Sequence, residues 1–286
     1  MIQSMTGFGK ATLQLPTKKI TVEIKSLNSK GLDLNTRMPS VFREMELGLR
    51  NQISQRLERG KIDFSLYIEV TGEETTSKIN VPIVKGYINQ MKAVIPNADE
   101  TELMKMAVRM PDALKTERDE IDENEWKEIQ KVIDQALENM AQFRKDEGAS
   151  LEKEFKSRIG NILSLMNQAV SFDKERIDTI KTRLRTAIDE IKVTVDENRF
   201  EQELIFYLEK YDITEEKVRL ENHLNYFIET LAGTEANGRK LGFITQEMGR
   251  EINTMGSKSN HSEMQKLVVM MKDELEKIKE QVLNVL

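Results

Sequence analysis

The chain contains no cysteine, so disulfide bonds and thiolate metal sites are excluded. Any bound metal must therefore be held by carboxylates, histidines, carbonyl groups or water. Aromatic residues make up only 6% of the 286 residues and charged residues 32%, which is typical of long solvated helices rather than of a compact aromatic-rich core. Because there is neither a membrane-length apolar run nor a signal-peptide pattern, we expect a cytoplasmic protein with no membrane partner.

Charge is unevenly distributed along the chain. The net charge is −6, which by itself argues against a nucleic-acid partner. Residues 1–72, however, hold eleven Lys and Arg against seven Asp and Glu, a balance of +4, so the remainder carries −10. Since binding phosphates needs only a local positive surface, the N-terminal part leaves a nucleic-acid partner open.

The first 72 residues show strand-like and helical patterns in turn. Residues 18–27 alternate cleanly between apolar and polar side chains, as a half-buried strand does. Gly60 is expected to cap the C-terminus of a helix, and alternation resumes after it. The predicted elements are extended segments at 2–15, 18–27, 32–38 and 61–70 and a helix at 41–57. This β-β-β-α-β order predicts a small α+β unit.

Helical periodicity dominates from residue 81 onward. The predicted helices cover 82–94, 101–109, 126–170 and 172–195, with an acidic linker at 116–125. The last of these helices repeats apolar residues every three or four positions, at Ile177, Ile180, Leu184, Ile188 and Ile191. Helices with such stripes must pack on one another or on a second subunit. We therefore predict an α+β homo-oligomer with an N-terminal β-rich domain (1–80), a long-helix middle region (81–195) and a mostly helical C-terminal domain (196–286).

The C-terminal domain is expected to contain an antiparallel helical hairpin. Residues 214–232 and 238–254 both show helical spacing and are joined near 233–237. The predicted buried stripes are Val218, Leu220, Leu224 and Phe227 in the first helix and Phe243, Ile244, Met248 and Ile252 in the second. Counting outward from residue 235 makes three pairs level, namely His223 with Glu247, Arg219 with Glu251 and Glu216 with Thr254.

Two interpretations of this seam between the helices are open. Glu247 and Glu251 are four residues apart on one helix, so their carboxylates repel unless a cation or a basic partner lies between them. A hard-cation or phosphate site would meet that need, and so would a network of interhelical salt bridges. The pattern of residues alone favours the salt-bridge network.

Four segments of the chain resemble a known family. They are the opening segment 1–9 (MIQSMTGFG), the Arg59-Gly60-Lys61 motif, the segment 238–260 and the ending 274–282. Together they resemble the bacterial YicC/YloC family over nearly the whole chain, and this resemblance implies a homo-hexameric endoribonuclease that needs a divalent metal. Gly242 departs from the family pattern, because the family usually carries an aspartate there, and the candidate site is one carboxylate smaller as a result.

The resemblance also implies roles for individual residues. Carboxylates that hold Mn²⁺ or Mg²⁺ can activate water and neutralise phosphate charge, and a histidine can ligate Mn²⁺ or move a proton. The implied metal ligands are Glu216, His223, Glu247 and Glu251. The implied catalytic residues are His223, Glu247 and Glu251. The implied RNA-binding residues are Arg59, Lys61, Arg219, Arg250 and Lys258.

Two functions of different classes are compatible with these residues. The first is a metal-dependent endoribonuclease that cleaves single-stranded or loop RNA. The second is a non-catalytic, oligomeric RNA-binding adaptor in RNA turnover. The same basic and acidic residues would serve both functions, and the family resemblance favours the endoribonuclease.

Overall fold

The computed structural model of the chain describes residues 2–71, 78–115, 123–191, 197–233 and 238–286. A four-stranded sheet is followed by a mostly helical region, which confirms the predicted α+β class. Most of the predicted acidic linker and most of the segment that joins the helical hairpin lie outside the described residues. Within the described residues, no helix is both long enough and apolar enough to cross a membrane.

The N-terminal unit has the predicted β-β-β-α-β order. Its elements are β1 (Gly7–Gln14), β2 (Lys18–Leu27), β3 (Leu32–Arg37), a 3-10 turn (Ser40–Met45), α1 (Glu46–Arg56) and β4 (Gly60–Val70). The spatial order of the strands is β1-β2-β4-β3, with β1 antiparallel to β2, β2 antiparallel to β4, and β3 parallel to β4. A parallel pair needs a crossover connection, which the 3-10 turn and α1 provide.

Some local predictions in this unit are wrong. The first strand begins only at Gly7, and the helix predicted at 41–57 begins as a 3-10 turn. Gly60 does not cap α1, which ends at Arg56; it begins β4 with a φ of +121°. A Cβ at Gly60 would lie 2.9 Å from Ser26 Oγ. Glycine is therefore required here by both the backbone angle and the close approach.

Elsewhere the described chain is helical, apart from a short two-stranded ladder. The further helices are α2 (Val81–Val94), α3 (Glu100–Ala107), α4 (Glu123–Ser171), α5 (Asp173–Ile191), α6 (Glu197–Lys210), α7 (Thr214–Ala232), α8 (Gly238–Lys258) and α9 (Ser262–Val282). The ladder pairs β5 (Lys78–Ile79) with β6 (Leu114–Lys115), and neither strand is among those predicted from the sequence. A small apolar cluster around Val84, Ala107 and Ala113 lies beside it.

Helix α4 belongs to two hydrophobic cores. Near its start, Ile129, Ile133 and Met140 pack against the inner face of the sheet and against α1. Its second half joins a core with α7, α8 and α9, in which the rings of Phe155 and Phe227 meet edge to face with centroids 5.7 Å apart. The three-domain division stays a prediction, but α4 is shared between the sheet and the helical region.

Arg144 lies on α4 between these two cores, and no sequence pattern distinguishes it from other arginines. Its guanidinium is buried, and Nη2 is within hydrogen-bonding distance of Ser26 Oγ (2.6 Å) and of the carbonyl oxygens of Arg59 (3.2 Å) and Met5 (3.3 Å). Its Nε has no hydrogen-bond partner among the described residues. Burial lowers the pKa of this guanidinium below its ordinary value. Arg144 therefore ties the N-terminal segment and the turn at Arg59 to α4.

Helices α5 and α6 keep their apolar faces partly exposed. No described apolar side chain of either helix is buried, although α5 carries the predicted isoleucine stripe. Ile205 and Phe206 on α6 are more than half exposed. Uncovered apolar surface on two neighbouring helices favours a further protein surface that packs against them.

We predict that the protein self-associates through this α5–α6 surface. Light scattering at micromolar concentration should give a multiple of the 33.1 kDa monomer mass, and the family resemblance implies six copies. Phe206→Asp should lower the mass, because burying a carboxylate in an apolar contact is costly. Leu47→Asp, at an exposed leucine outside this surface, is the control and should leave the mass unchanged. A mass near 33.1 kDa for the unmodified protein would contradict the prediction.

Candidate active site

The first helix of the hairpin has the predicted bounds, whereas the second begins at the predicted residue and continues to Lys258, four residues beyond the predicted end. Lys258 Nζ donates a hydrogen bond to Glu216 Oε1 at 2.7 Å, and Lys240 Nζ lies 4.8 Å from the centroid of the Tyr226 ring. The count pairs Glu216 with Thr254, and its observed partner Lys258 is four residues nearer the C-terminus of α8. The count pairs Tyr226 with Ile244, and Lys240 is four residues nearer the N-terminus. The two displacements are opposite in direction, so these two contacts are centred on the predicted register, and the pairing of the individual site residues stays a prediction.

The predicted apolar stripes are right except at two positions. Leu220, Leu224 and Phe227 on α7 are buried. The predicted residues Ile244, Met248 and Ile252 on α8 are also buried. Val218 and Phe243 are instead at least half exposed. In a helix, residues two apart point about 160° away from each other. Val218 and Phe243 each lie two residues from a buried residue, so they point away from the buried face.

Glu216 is the most deeply buried carboxylate of the predicted site. The residue is 4% exposed, and its Oε1 forms the ion pair with Lys258, whose side chain is 27% exposed. The other oxygen, Oε2, is buried and has no hydrogen-bond partner among the described residues. A buried carboxylate with one uncompensated oxygen can accept a further donor or bind a cation.

Further charged groups surround this end of the seam. Arg176 is buried at the start of α5, and its Nη1 donates to the carbonyl oxygen of Lys258 at 3.1 Å. The pKa of Asp212 is lowered, first by the hydrogen bond from the Thr214 hydroxyl and then by the Thr214 backbone N–H, with smaller contributions from the positive charges of Lys258 and Arg176. The end of the seam near Glu216 is thus a cluster of acidic and basic groups from three helices.

The predicted like-charge pair on α8 is separated by its environment. Glu247 is partly exposed and accepts a hydrogen bond from Arg250 at 2.7 Å. Glu251, one turn further, is buried. No described side chain forms an ion pair or a hydrogen bond with the Glu251 carboxylate. The repulsion expected between the two carboxylates is therefore reduced, because one is paired outward while the other faces the seam.

His223 and Arg219 also lie on the seam side of α7. His223 is half-buried, two turns from Glu216 on the same helix. Arg219 is exposed and pairs with Glu215 at 2.5 Å, although the count places it level with Glu251. Short-range pairs within one helix have thus taken the place of the interhelical pairs that the count predicts.

The two N-terminal residues of the predicted RNA-binding set belong to the sheet. Arg59 Nε donates to the carbonyl oxygen of Ser29 at 2.8 Å, so its side chain is partly committed to a turn. Lys61 is exposed on β4, and no acidic side chain of the described residues pairs with it. The ammonium of Lys258 forms an ion pair with the buried Glu216, so it is less available to bind phosphate than the other residues of the set.

The candidate metal ligands do not form a preformed cage among the described residues. Within the described ranges, no three His, Asp or Glu side chains converge on a position for one metal ion. Mg²⁺, however, is commonly held by one or two carboxylates, with water and substrate phosphates completing its shell. The buried Oε2 of Glu216 and the unpaired carboxylate of Glu251 are oxygen donors of the kind that such a site uses.

We predict that Lys258→Met destabilises the fold more than the double variant Lys258→Met, Glu216→Gln. Removing the lysine alone leaves a buried carboxylate without its cation, which should cost about 3 kcal/mol of unfolding free energy. Removing both charges should recover most of that loss. Denaturant unfolding at one fixed protein concentration measures the difference. Equal losses in the single and double variants would show that the ion pair is not coupled in this way.

Comparisons with known proteins cover the whole chain. The family model described as "Endoribonuclease YicC-like, N-terminal region" matches residues 2–153, and "Endoribonuclease YicC-like, C-terminal" matches residues 169–286. The chain is 31% identical over 293 residues to "Probable endoribonuclease YicC" of Clostridioides difficile (strain 630), with 100% of both chains covered. It is 29% identical to the protein of the same name from Haemophilus influenzae, with 99% of both chains covered. The chain belongs to the YicC-like endoribonuclease family.

Proposed function

We propose that the protein is a metal-dependent endoribonuclease that cleaves single-stranded or loop RNA at the seam between α7 and α8. Family membership supports RNA cleavage, because both relatives are named probable endoribonucleases. The C-terminal family model covers both helices of the hairpin. Mn²⁺ or Mg²⁺ as cofactor, RNA as substrate and a cytoplasmic location belong to the same proposal.

The observation that carries the proposal is the incomplete pairing of two carboxylates on this seam. Among the described residues, Glu216 has one buried oxygen without a hydrogen-bond partner, and the Glu251 carboxylate has no side-chain partner. Burying an ionised carboxylate is costly unless a cation or hydrogen-bond donors compensate for it. A divalent cation that also binds an RNA phosphate would supply this compensation and would bring the scissile bond to the seam.

The residues of the seam can divide the work of phosphodiester cleavage between them. A bound Mn²⁺ or Mg²⁺ would supply an acidified water and neutralise phosphate charge. Glu216 and Glu251 would hold that ion from the two sides of the hairpin. His223 lies half-buried on α7, and an imidazole can both accept and donate a proton near neutral pH.

The exposed arginines at the rim of the seam are suited to hold the RNA backbone. Arg219 and Arg250 each pair with a carboxylate on their own helix, at 2.5 Å and 2.7 Å. Exposed pairs of this kind contribute little to stability, so the guanidinium groups can exchange these partners for phosphate oxygens at small cost. Arginine binds phosphate through two parallel hydrogen bonds, which would orient the strand across the seam.

We predict that Glu251→Gln and Glu247→Gln each lower the cleavage rate roughly 100-fold or more, the loss typical of removing one preorganised charge contact at a reacting centre. The amide keeps the shape of the side chain and loses its charge. Oligomer mass and RNA affinity should stay unchanged, and metal-free stability should not fall, because a repulsion is removed. Initial rates on labelled RNA, light scattering and thermal melting measure the three properties.

Glu221→Gln is the matched control, because Glu221 is an exposed carboxylate on α7. This variant should cleave RNA like the unmodified protein. If Glu251→Gln and Glu247→Gln also cleave normally, the seam is not the active site. Activity lost together with a clear fall in melting temperature would favour a structural role.

We also predict that RNA affinity falls steeply with salt, because phosphate contacts release counterions. Replacing Arg59 and Lys61 together by glutamine should reduce the slope of log affinity against log salt by about 0.7 per cation removed, the value for single strands. Titrations of labelled RNA at several salt concentrations measure this slope. An affinity that stays flat from low to moderate salt would rule out the electrostatic account.

A further inference from the structure

The outward face of the N-terminal sheet is uncovered by any described element. The inner face carries Ile24, Phe64 and their apolar neighbours, which α1 and α4 cover. The alternate residues of the strands point the other way, and none of those on β1, β2 and β4 is buried. We call this outward surface of β1–β4 the open face.

Two aromatic rings stand on the open face. Phe8 on β1 is 40% exposed and Tyr67 on β4 is 50% exposed. The strand register places both on the same side, because Phe8 is opposite Lys25, Tyr67 is opposite Thr21, and these two residues of β2 are four apart. From strand spacing and rise, the backbone positions that carry the two rings are about 16 Å apart, a distance that a few extended nucleotides can span.

The charges around these rings leave cations available. Glu23 accepts a hydrogen bond from Lys10 at 2.9 Å and lies 3.7 Å from Lys25, and the hydrogen bond from Lys10 is the main reason that the pKa of Glu23 is lowered. Asp63 accepts a hydrogen bond from the Asn35 amide at 3.0 Å. Two of the acidic groups near the centre of the face are therefore already satisfied.

The free cations lie on three different strands of the open face. Lys19, Arg37 and Lys61 have no acidic partner among the described residues. They are also separated along the sheet, since Lys19 lies opposite Glu69 near the end of β4, whereas Lys61 is the second residue of that strand. Cations spaced in this way can follow a chain of phosphates instead of holding one anion.

We propose that the open face binds single-stranded RNA, with bases stacked on Phe8 and Tyr67 and phosphates held by Lys19, Arg37 and Lys61. Single-stranded nucleic acids are commonly held by aromatic platforms next to positive charges, and every base can stack. The proposal rests on the proposed function, which supplies RNA as the substrate. It adds a surface of the same protein that would bind the RNA strand outside the α7–α8 seam.

The composition of the face favours RNA over a second copy of the chain. Lysine and acidic residues, which are depleted in the cores of protein–protein interfaces, occupy many of its positions. The two rings are separated by polar side chains and do not form a continuous apolar patch. Self-association through this face remains an outcome that the experiment can detect.

Fluorescence anisotropy with labelled single-stranded RNA, in EDTA to prevent cleavage, tests the platform. Phe8→Ala and Tyr67→Ala should each weaken binding about 5- to 100-fold, the range expected for one lost base-stacking contact. Tyr67→Phe keeps the ring and should bind like the unmodified protein. Phe143→Ala removes a 43% exposed aromatic ring from α4 and should have no effect. Melting temperatures should not change, because both platform rings are exposed.

The possible results distinguish RNA binding by the open face from RNA cleavage at the seam. Unchanged affinity in Phe8→Ala and Tyr67→Ala overturns the platform, and leaves the proposed function intact if the unmodified protein cleaves RNA. Loss of affinity that occurs only with a fall in oligomer mass overturns it in favour of an interface between copies. An unmodified protein that binds no single-stranded RNA in EDTA overturns the platform, whereas the proposed function is overturned only if this protein also fails to cleave RNA in Mn²⁺. Photo-crosslinks from RNA to the peptides containing Phe8 or Tyr67 would support direct contact.

Discussion

The structure depends on the sharing of one helix between two hydrophobic cores. Helix α4 has 49 residues, so it extends about 74 Å. Its first half completes the core of the N-terminal sheet, and its second half packs with the α7–α8 hairpin and α9. The sheet that carries the proposed RNA platform and the hairpin that carries the proposed active site are therefore attached to one long helix.

The middle of this helix is held where the chain ends meet. The Ser4 amide donates to the Arg144 carbonyl oxygen, and the Met5 amide donates to that of Asn284, at 3.0 Å and 2.7 Å. A Cβ at Gly148 would collide with the backbone of Ile2, so the N-terminal segment approaches α4 as closely as glycine permits. The Arg144 guanidinium lies in the same region and reaches the turn that precedes β4. Backbone packing and a buried cation thus link the two halves of the molecule.

Much of this arrangement could be predicted from local pattern. Strand β2 has the bounds 18–27 that alternation predicts, and the hairpin has the helices and the average register that counting predicts. Period alone shows which residues share a face, but it does not locate the centre of the buried face, which explains the exposure of Val218 and Phe243. Sheet order, the β5–β6 ladder and the environment of Arg144 depend on contacts between residues that are distant in sequence. Such contacts leave no periodic signal in one sequence.

The central claim is that the seam of the hairpin makes this protein a metal-dependent nuclease and not only an RNA-binding protein. The most direct measurement follows labelled single-stranded RNA during incubation with the purified, unmodified protein, first in Mn²⁺ and then in EDTA. The account predicts internal cleavage products in Mn²⁺, and intact RNA that is still bound in EDTA. RNA that is bound but intact under both conditions would contradict the account and would identify an RNA-binding adaptor instead.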